Sequence, residues 1–273
     1  MSDVDRDALP SFDKPPVIEV VCGMLFNSLD TLLIPHFGAL WERFKSDYPK
    51  CQEAAPLLPV VERFDEMLSE RLDLVDGIPL PRVWFVHKDG NGVIQVQRDR
   101  FLHNWRKAGS NEQYPRYPIV KKLFSEHLLT FRKFLDEYTL GELFPRQYEI
   151  TYINHIPRGE GWESIEDVGK VFPDVAWRVK KGRFLSVPDG IDVKTSFLLP
   201  DKSGRLHVAI RNAIRRADSV PILLMELTAR GMPRDPSPEA MWRWFDIGRE
   251  WIVRGFADLT GNEIQEKVWR RTS

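Results

Sequence analysis

Residues 82–118 read RVWFVHKDGNGVIQVQRDRFLHNWRKAGSNEQYPRYP. Two alternating runs, 83–87 and 93–98, flank Lys88-Asp89-Gly90-Asn91-Gly92. Gly, Asn and Asp tolerate the positive φ that tight hairpin turns demand, so a β-hairpin is predicted over 82–98. A connection this short joins strands only in the antiparallel sense. The second run then enters a block holding Arg98, Arg100, Asn104, Trp105, Arg106, Tyr114, Arg116 and Tyr117. Guanidinium and aromatic groups at that density either staple a loop onto a core or make a recognition surface.

Outward from the hairpin, other segments declare themselves by period. VIEVVCGMLF at 17–26 is a β-rich apolar run and is expected as a buried strand. Phe37, Leu40, Trp41, Phe44 and Tyr48 recur at helical spacing, with Pro35 suited to a first turn, and predict a helix over 35–48. A further helix is expected over 60–75. Pro118 opens a long helix to about 138, with Leu123, Phe124, Leu128, Phe131, Leu135 and Tyr138 on one face. Residues 147–156, QYEITYINHI, read as a strand. The first half is therefore expected as β-α-β-β-α-β.

Residues 157–183 are rich in Gly and Pro and irregular, with Trp162 and Trp177 between them. Beyond them, 191–199 and 205–215 alternate cleanly around a Pro-Asp-Lys-Ser-Gly turn. Residues 221–230 are apolar on both faces, as a central strand would be. Ser237-Pro238-Glu239 is a helix start, and Gly261 ends the helix that follows. The second half is expected as β-β-β-α. The fold class is α+β, with antiparallel strands in one or two sheets and the helices packed on one face. The organisation expected is a flexible lead-in over 1–16, halves over 17–156 and 184–273, and a connection over 157–183, packed as one unit.

The chain has 273 residues, 42% hydrophobic and 11% aromatic, enough for a substantial core. A net charge of −1 gives no global field toward nucleic acid or anionic lipid. Cys22 and Cys51 are the two cysteines, spaced as neither a zinc ribbon nor a redox pair. Sparse cysteine suggests a reducing, cytoplasmic setting. No run approaches the ~20 apolar residues of a membrane span, and the acidic, Pro-rich start is unlike a signal peptide. No membrane contact is expected.

Motifs for phosphate loops, dinucleotide folds, zincins, nucleophile elbows and kinases are absent, and the six histidines show no ligand spacing. No catalytic residue, metal or cofactor is assigned. Two clusters stand as candidates. In the first, Arg98, Arg100, Asn104, Arg106 and Arg116 hold an anionic group, with Trp105 and Tyr117 as stacking rings. The bland alternative has Trp105 in the core and the arginines bridging carbonyls and acids such as Asp99 and Glu112. In the second, Arg205, His207, Arg211 and Arg215 share one strand face, as a nucleic-acid platform or as a charged, solvated edge.

The succession PPVIEVV (15–21), IQVQRDRF (94–101), NWR (104–106), YPRYP (114–118) and YINHI (152–156) resembles a sporadically distributed prokaryotic family of conserved hypothetical proteins of about this length. GFADLT (255–260) followed by Trp269 is similar as well. The resemblance covers most of the chain and carries over no catalytic residue. A patchy distribution implies an accessory role in a defence or toxin–antitoxin type island. The expectation is a non-catalytic binding or regulatory module with a protein partner or an anionic small molecule. Nucleic-acid binding is the alternative, and an enzyme acting on a phosphoester or nucleotide from a dispersed site is the second.

Overall fold

The structure is a computed structural model that describes residues 8–58, 60–64, 80–109, 112–177 and 182–273. Its strands are β1 (Val17–Phe26), β2 (Lys50–Ala54), β3 (Arg82–Val86), β4 (Gly92–Gln97), β5 (Arg100–Arg106), β6 (Pro145–Pro157), β7 (Asp192–Leu198), β8 (Gly204–Ile214) and β9 (Pro221–Gly231). Its helices are α1 (Ile34–Trp41), α2 (Tyr117–Glu137), the single turn α3 (Val168–Val171), α4 (Pro238–Leu259) and α5 (Asn262–Lys267). All nine strands join one antiparallel sheet in the order β2-β3-β4-β5-β1-β6-β9-β8-β7.

That order contains the same path twice. In the first half β1 leaves the middle, and the meander β2–β5 walks back to lie beside it before α2 begins. In the second half β6 leaves the middle, and β7–β9 walk back beside it before α4 begins. β1 and β6 are antiparallel neighbours, so the two halves meet at the centre of one continuous sheet. Both long helices pack on the same face, α2 on β1 and β5, α4 on β6, β8 and β9.

The core lies between helices and sheet. Val20, Cys22, Met24 and Phe26 of β1 point into it and are buried. From α2 come Val120, Phe124, Leu128, Phe131 and Leu135, with the Phe131 ring stacked on Phe101 of β5 at 4.9 Å. From α4 come Met241, Trp244, Phe245, Ile252 and Phe256. Ser237 caps α4 as its sequence predicts, its hydroxyl accepting from the Ala240 amide at 3.2 Å. Near the N-terminus, Phe12 is buried against Phe256 and Trp269 and bridges to Arg271.

Four features differ from the sequence expectation. β2 is an additional edge strand, too short and polar to show a period. β5 is a strand where the sequence suggested an Arg/Trp loop: Phe101, His103 and Trp105 face the helices while Arg100, Asn104 and Arg106 face away. α1 ends at Trp41, and a run of i→i+3 and i→i+4 turns carries the chain on to Tyr48 while Phe44 and Tyr48 stay buried. The helix expected over 60–75 lies outside the described residues from 65 onward, and residues 60–64 are not helical. Cys22 is buried and Cys51 exposed. Among the described residues no helix is long and apolar enough to cross a membrane.

Candidate functional site

Among the described residues no helix covers the second face of the sheet, called here the helix-free face, and that face carries a row of polar side chains. Cross-strand register sets Gln97 of β4, Arg100 of β5, Leu25 of β1 and Gln147 of β6 in one row. Gln97, Arg100 and Gln147 are nonetheless all buried. The described residues of 55–64, which follow β2, meet this row and account for where its polar groups go.

Each glutamine grips main chain in both senses. The Leu57 amide donates to Gln97 Oε1 at 2.9 Å, and Gln97 Nε2 donates to the Leu57 carbonyl at 3.0 Å. Three strands further on, Gln147 Nε2 donates to the Val60 carbonyl at 2.8 Å and Gln147 Oε1 accepts from the Glu62 amide at 2.8 Å. Between them Arg100 donates to the Leu58 carbonyl at 3.1 Å. Contact order along the strap follows strand order across the sheet. The contacts at Leu57 and Glu62 lie five ~4.8 Å strand steps apart, from β4 to β8.

At β8 the strap ends in a charge cluster. Arg205 donates to Glu62 Oε2 at 2.6 Å and to the Arg63 carbonyl at 2.8 Å, with its guanidinium 4.7 Å from the Phe64 ring. His207 Nε2 lies 2.5 Å from Glu62 Oε1. Burial alone would raise the Glu62 carboxyl, but the bonds from His207 and Arg205 outweigh it and hold the group below its ordinary range. Arg230 pairs with Glu149 at 2.6 Å in the row that contains Arg205.

A second network crosses the same face diagonally. Arg82 donates to Gln95 at 2.9 Å, Gln95 to Asn104 at 2.7 Å, and Asn104 to Glu19 Oε1 at 2.5 Å. Four strands are thereby tied by side chains as well as by ladders. Burial raises the Glu19 carboxyl, against the opposing pull of Asn104 and Arg106.

The sequence-predicted residues divide accordingly. Arg100, Asn104, Arg106, Arg205, His207 and Arg211 share the helix-free face, so the two clusters read separately from the sequence belong to one surface. Arg106 turns back to the Gly90 carbonyl at 2.9 Å, and Arg211 is exposed. Trp105 and Tyr117 lie on the helix side, Trp105 against Tyr114 and Tyr117 donating to Asp246. Arg98 and Arg116 donate to the carbonyls of Leu32 and Phe12. Arg215 is clamped by Asp218 at the far end of β8. Gln97, Gln147 and Glu62 were not singled out from the sequence; a glutamine at an otherwise apolar strand position was the available signal.

Among the described residues no group of three or more His, Cys, Asp or Glu is placed to hold a metal ion. Comparison with protein-family models, curated proteins and solved structures gives no match. The chemistry of the face therefore has to be argued from its own residues.

Proposed function

We propose that this chain is a non-catalytic binding module that seats an extended, acid-bearing polypeptide segment across the helix-free face of its sheet. Residues 55–64 hold that seat in cis, and a protein partner competes for it. The observation that carries this is the pair of buried side-chain amides, Gln97 and Gln147, each offering a donor and an acceptor to main chain. Such contacts recognise an extended backbone whatever its sequence, while Arg205 and His207 select for a carboxylate at one position.

One further fact favours exchange over a fixed cover, and another tells against nucleic acid. Leu57, Leu58 and Val60 remain exposed, so the strap is held by polar bonds with little apolar burial. Segments held in that way open at low cost. The basic strip that would suit nucleic acid is largely compensated, Arg205 and His207 by Glu62 and Arg215 by Asp218.

The test uses a fluorescein-labelled peptide of sequence APLLPVVERF, residues 55–64, titrated into the full-length protein by fluorescence polarisation. Glu62→Gln weakens the strap in cis and leaves Arg205 and His207 available. That variant is expected to bind the peptide at least about tenfold more tightly than the parent chain. Adding Arg205→Gln should remove the binding. A Glu62→Gln protein that ignores the peptide overturns the proposal.

A further inference from the structure

On the opposite, helix-bearing side a cavity of about 450 Å³ opens where the two halves meet. The start of α2, the centres of β6 and β9, the C-terminal half of α4 and residues 9–17 enclose it. Its volume falls in the range of small-molecule sites. Its walls are of two kinds.

One wall is apolar, formed by Phe12, Val17, Leu227, Ile252 and Phe256. The other carries Arg116, Arg249, Tyr114 and Tyr152. Arg249 Nε is buried and has no hydrogen-bond partner, and the guanidinium lies 5.1 Å from the Tyr117 ring. No carboxylate among the described residues forms an ion pair with Arg249 or with Arg116. A buried donor such as the Arg249 Nε is costly unless something supplies its partner. The hydroxyls of Tyr114 and Tyr152 are 2.9 Å apart. One proton serves that contact, which leaves the other hydroxyl proton to donate elsewhere. Arg116 adopts φ 73°, ψ 152°, backbone space that side chains rarely occupy.

We propose that this cavity binds a small amphipathic carboxylate, its head group on Arg249 and the Tyr114–Tyr152 hydroxyl pair and its chain against Phe12, Leu227, Ile252 and Phe256. Arg116 stands at the rim as a second cation. The site is on the other face of the sheet from the strap.

Calorimetry on the full-length protein with decanoate as the probe tests this, with methyl decanoate and decanol as uncharged analogues. Decanoate is expected to bind saturably at one site, and each analogue roughly tenfold or more weakly. Arg249→Gln should weaken decanoate by roughly 10- to 100-fold with an unchanged circular-dichroism spectrum. If that variant fails to fold, Arg116→Gln, at an exposed position, is expected to show a smaller loss of several-fold. No saturable binding, equal affinity for the methyl ester, or decanoate affinity untouched in the folded arginine variant overturns the assignment.

Discussion

The Arg205 guanidinium meets the Glu62 carboxylate at 2.6 Å, across 143 residues of chain. One partner belongs to β8, near an edge of the sheet. The other belongs to the connection between β2 and β3, near the opposite edge. The pair therefore closes a strap over most of the sheet's width, and His207 completes it from two residues further along β8. The strap is fastened at its β8 end by charge, at its β4 end by Gln97, and in between by Arg100 and Gln147.

Glu62→Gln should loosen the strap without unfolding the sheet. Removing one member of a shielded ion pair costs roughly 3 kcal/mol, and here the loss falls on local opening. Amide exchange at Leu57 and Glu62 should accelerate about 100-fold, while the urea midpoint of the whole chain moves little. A large fall in that midpoint with no selective gain in strap exchange would contradict the account.

Acid should release the strap as well. Glu62 titrates below its ordinary 4.5 in the closed form. A depressed folded-state value means the contribution is fully present above 4.5 and is lost as pH falls through the folded value. Protection factors of the strap amides, corrected for intrinsic exchange, should be flat between pH 5 and 7 and should decline below about 4.5. Glu62→Gln should abolish the decline.

A different pair governs stability at milder acidity. His103 and His127 face each other with their Nδ1 atoms 3.3 Å apart, between β5 and α2. Burial pushes His103 well below its usual 6.5, and burial also takes His127 down to about 4. Both are neutral in the folded protein at pH 7, and the unfolded chain binds protons first as pH drops. Stability should therefore fall between pH 6.5 and about 4, by up to roughly 3 kcal/mol from His127 alone. Urea unfolding across that range measures it, and His103→Leu/His127→Leu should flatten the slope.

The helical and apolar parts of this fold were legible because they have a period. α2, α4, β7 and β8 follow 3.6- or 2-residue spacing, and β1 and β9 stand out as apolar runs. β5 was obscured because Arg100, Asn104 and Arg106 suggest a loop when their partners are unknown. Those partners, Leu58, Glu19 and Gly90, lie far away in sequence. The strap was hidden for the same reason: residues 55–64 have no internal pattern, and the side chains that hold them come from β4, β5, β6 and β8. Arg205 and His207 were visible as a stripe, but the carboxylate that gives the stripe its meaning was not.

Gly23 sits mid-β1 on the strap face, beside Leu102 of β5. A β-carbon there would lie 2.1 Å from Leu102 Cδ2, and Leu102 is itself buried. Gly23→Ala should destabilise the chain by about 1 to 3 kcal/mol through forced repacking. Leu102→Ala alone should also destabilise, by leaving a void. The double variant should be more stable than the sum of the two losses, which a double-mutant cycle in urea will read as a favourable coupling.

The two glutamines supply the most discriminating measurement, because they separate main-chain recognition from charge. Gln97 and Gln147 each spend both ends of the amide on the strap, at Leu57 and at Val60 with Glu62. Replacing either with Glu keeps the shape but turns the amide donor into an acceptor facing a carbonyl. Each replacement should cost about 1 to 3 kcal/mol of strap closure, because a buried carbonyl loses its donor and a buried charge is created. Gln97→Glu should free the Leu57 end first, and Gln147→Glu the Val60 carbonyl and the Glu62 amide. Limited proteolysis should then cut residues 55–64 in the variants before the parent chain. Cleavage resistance equal to that of the parent in both variants would show that apolar packing, not amide recognition, holds the strap down.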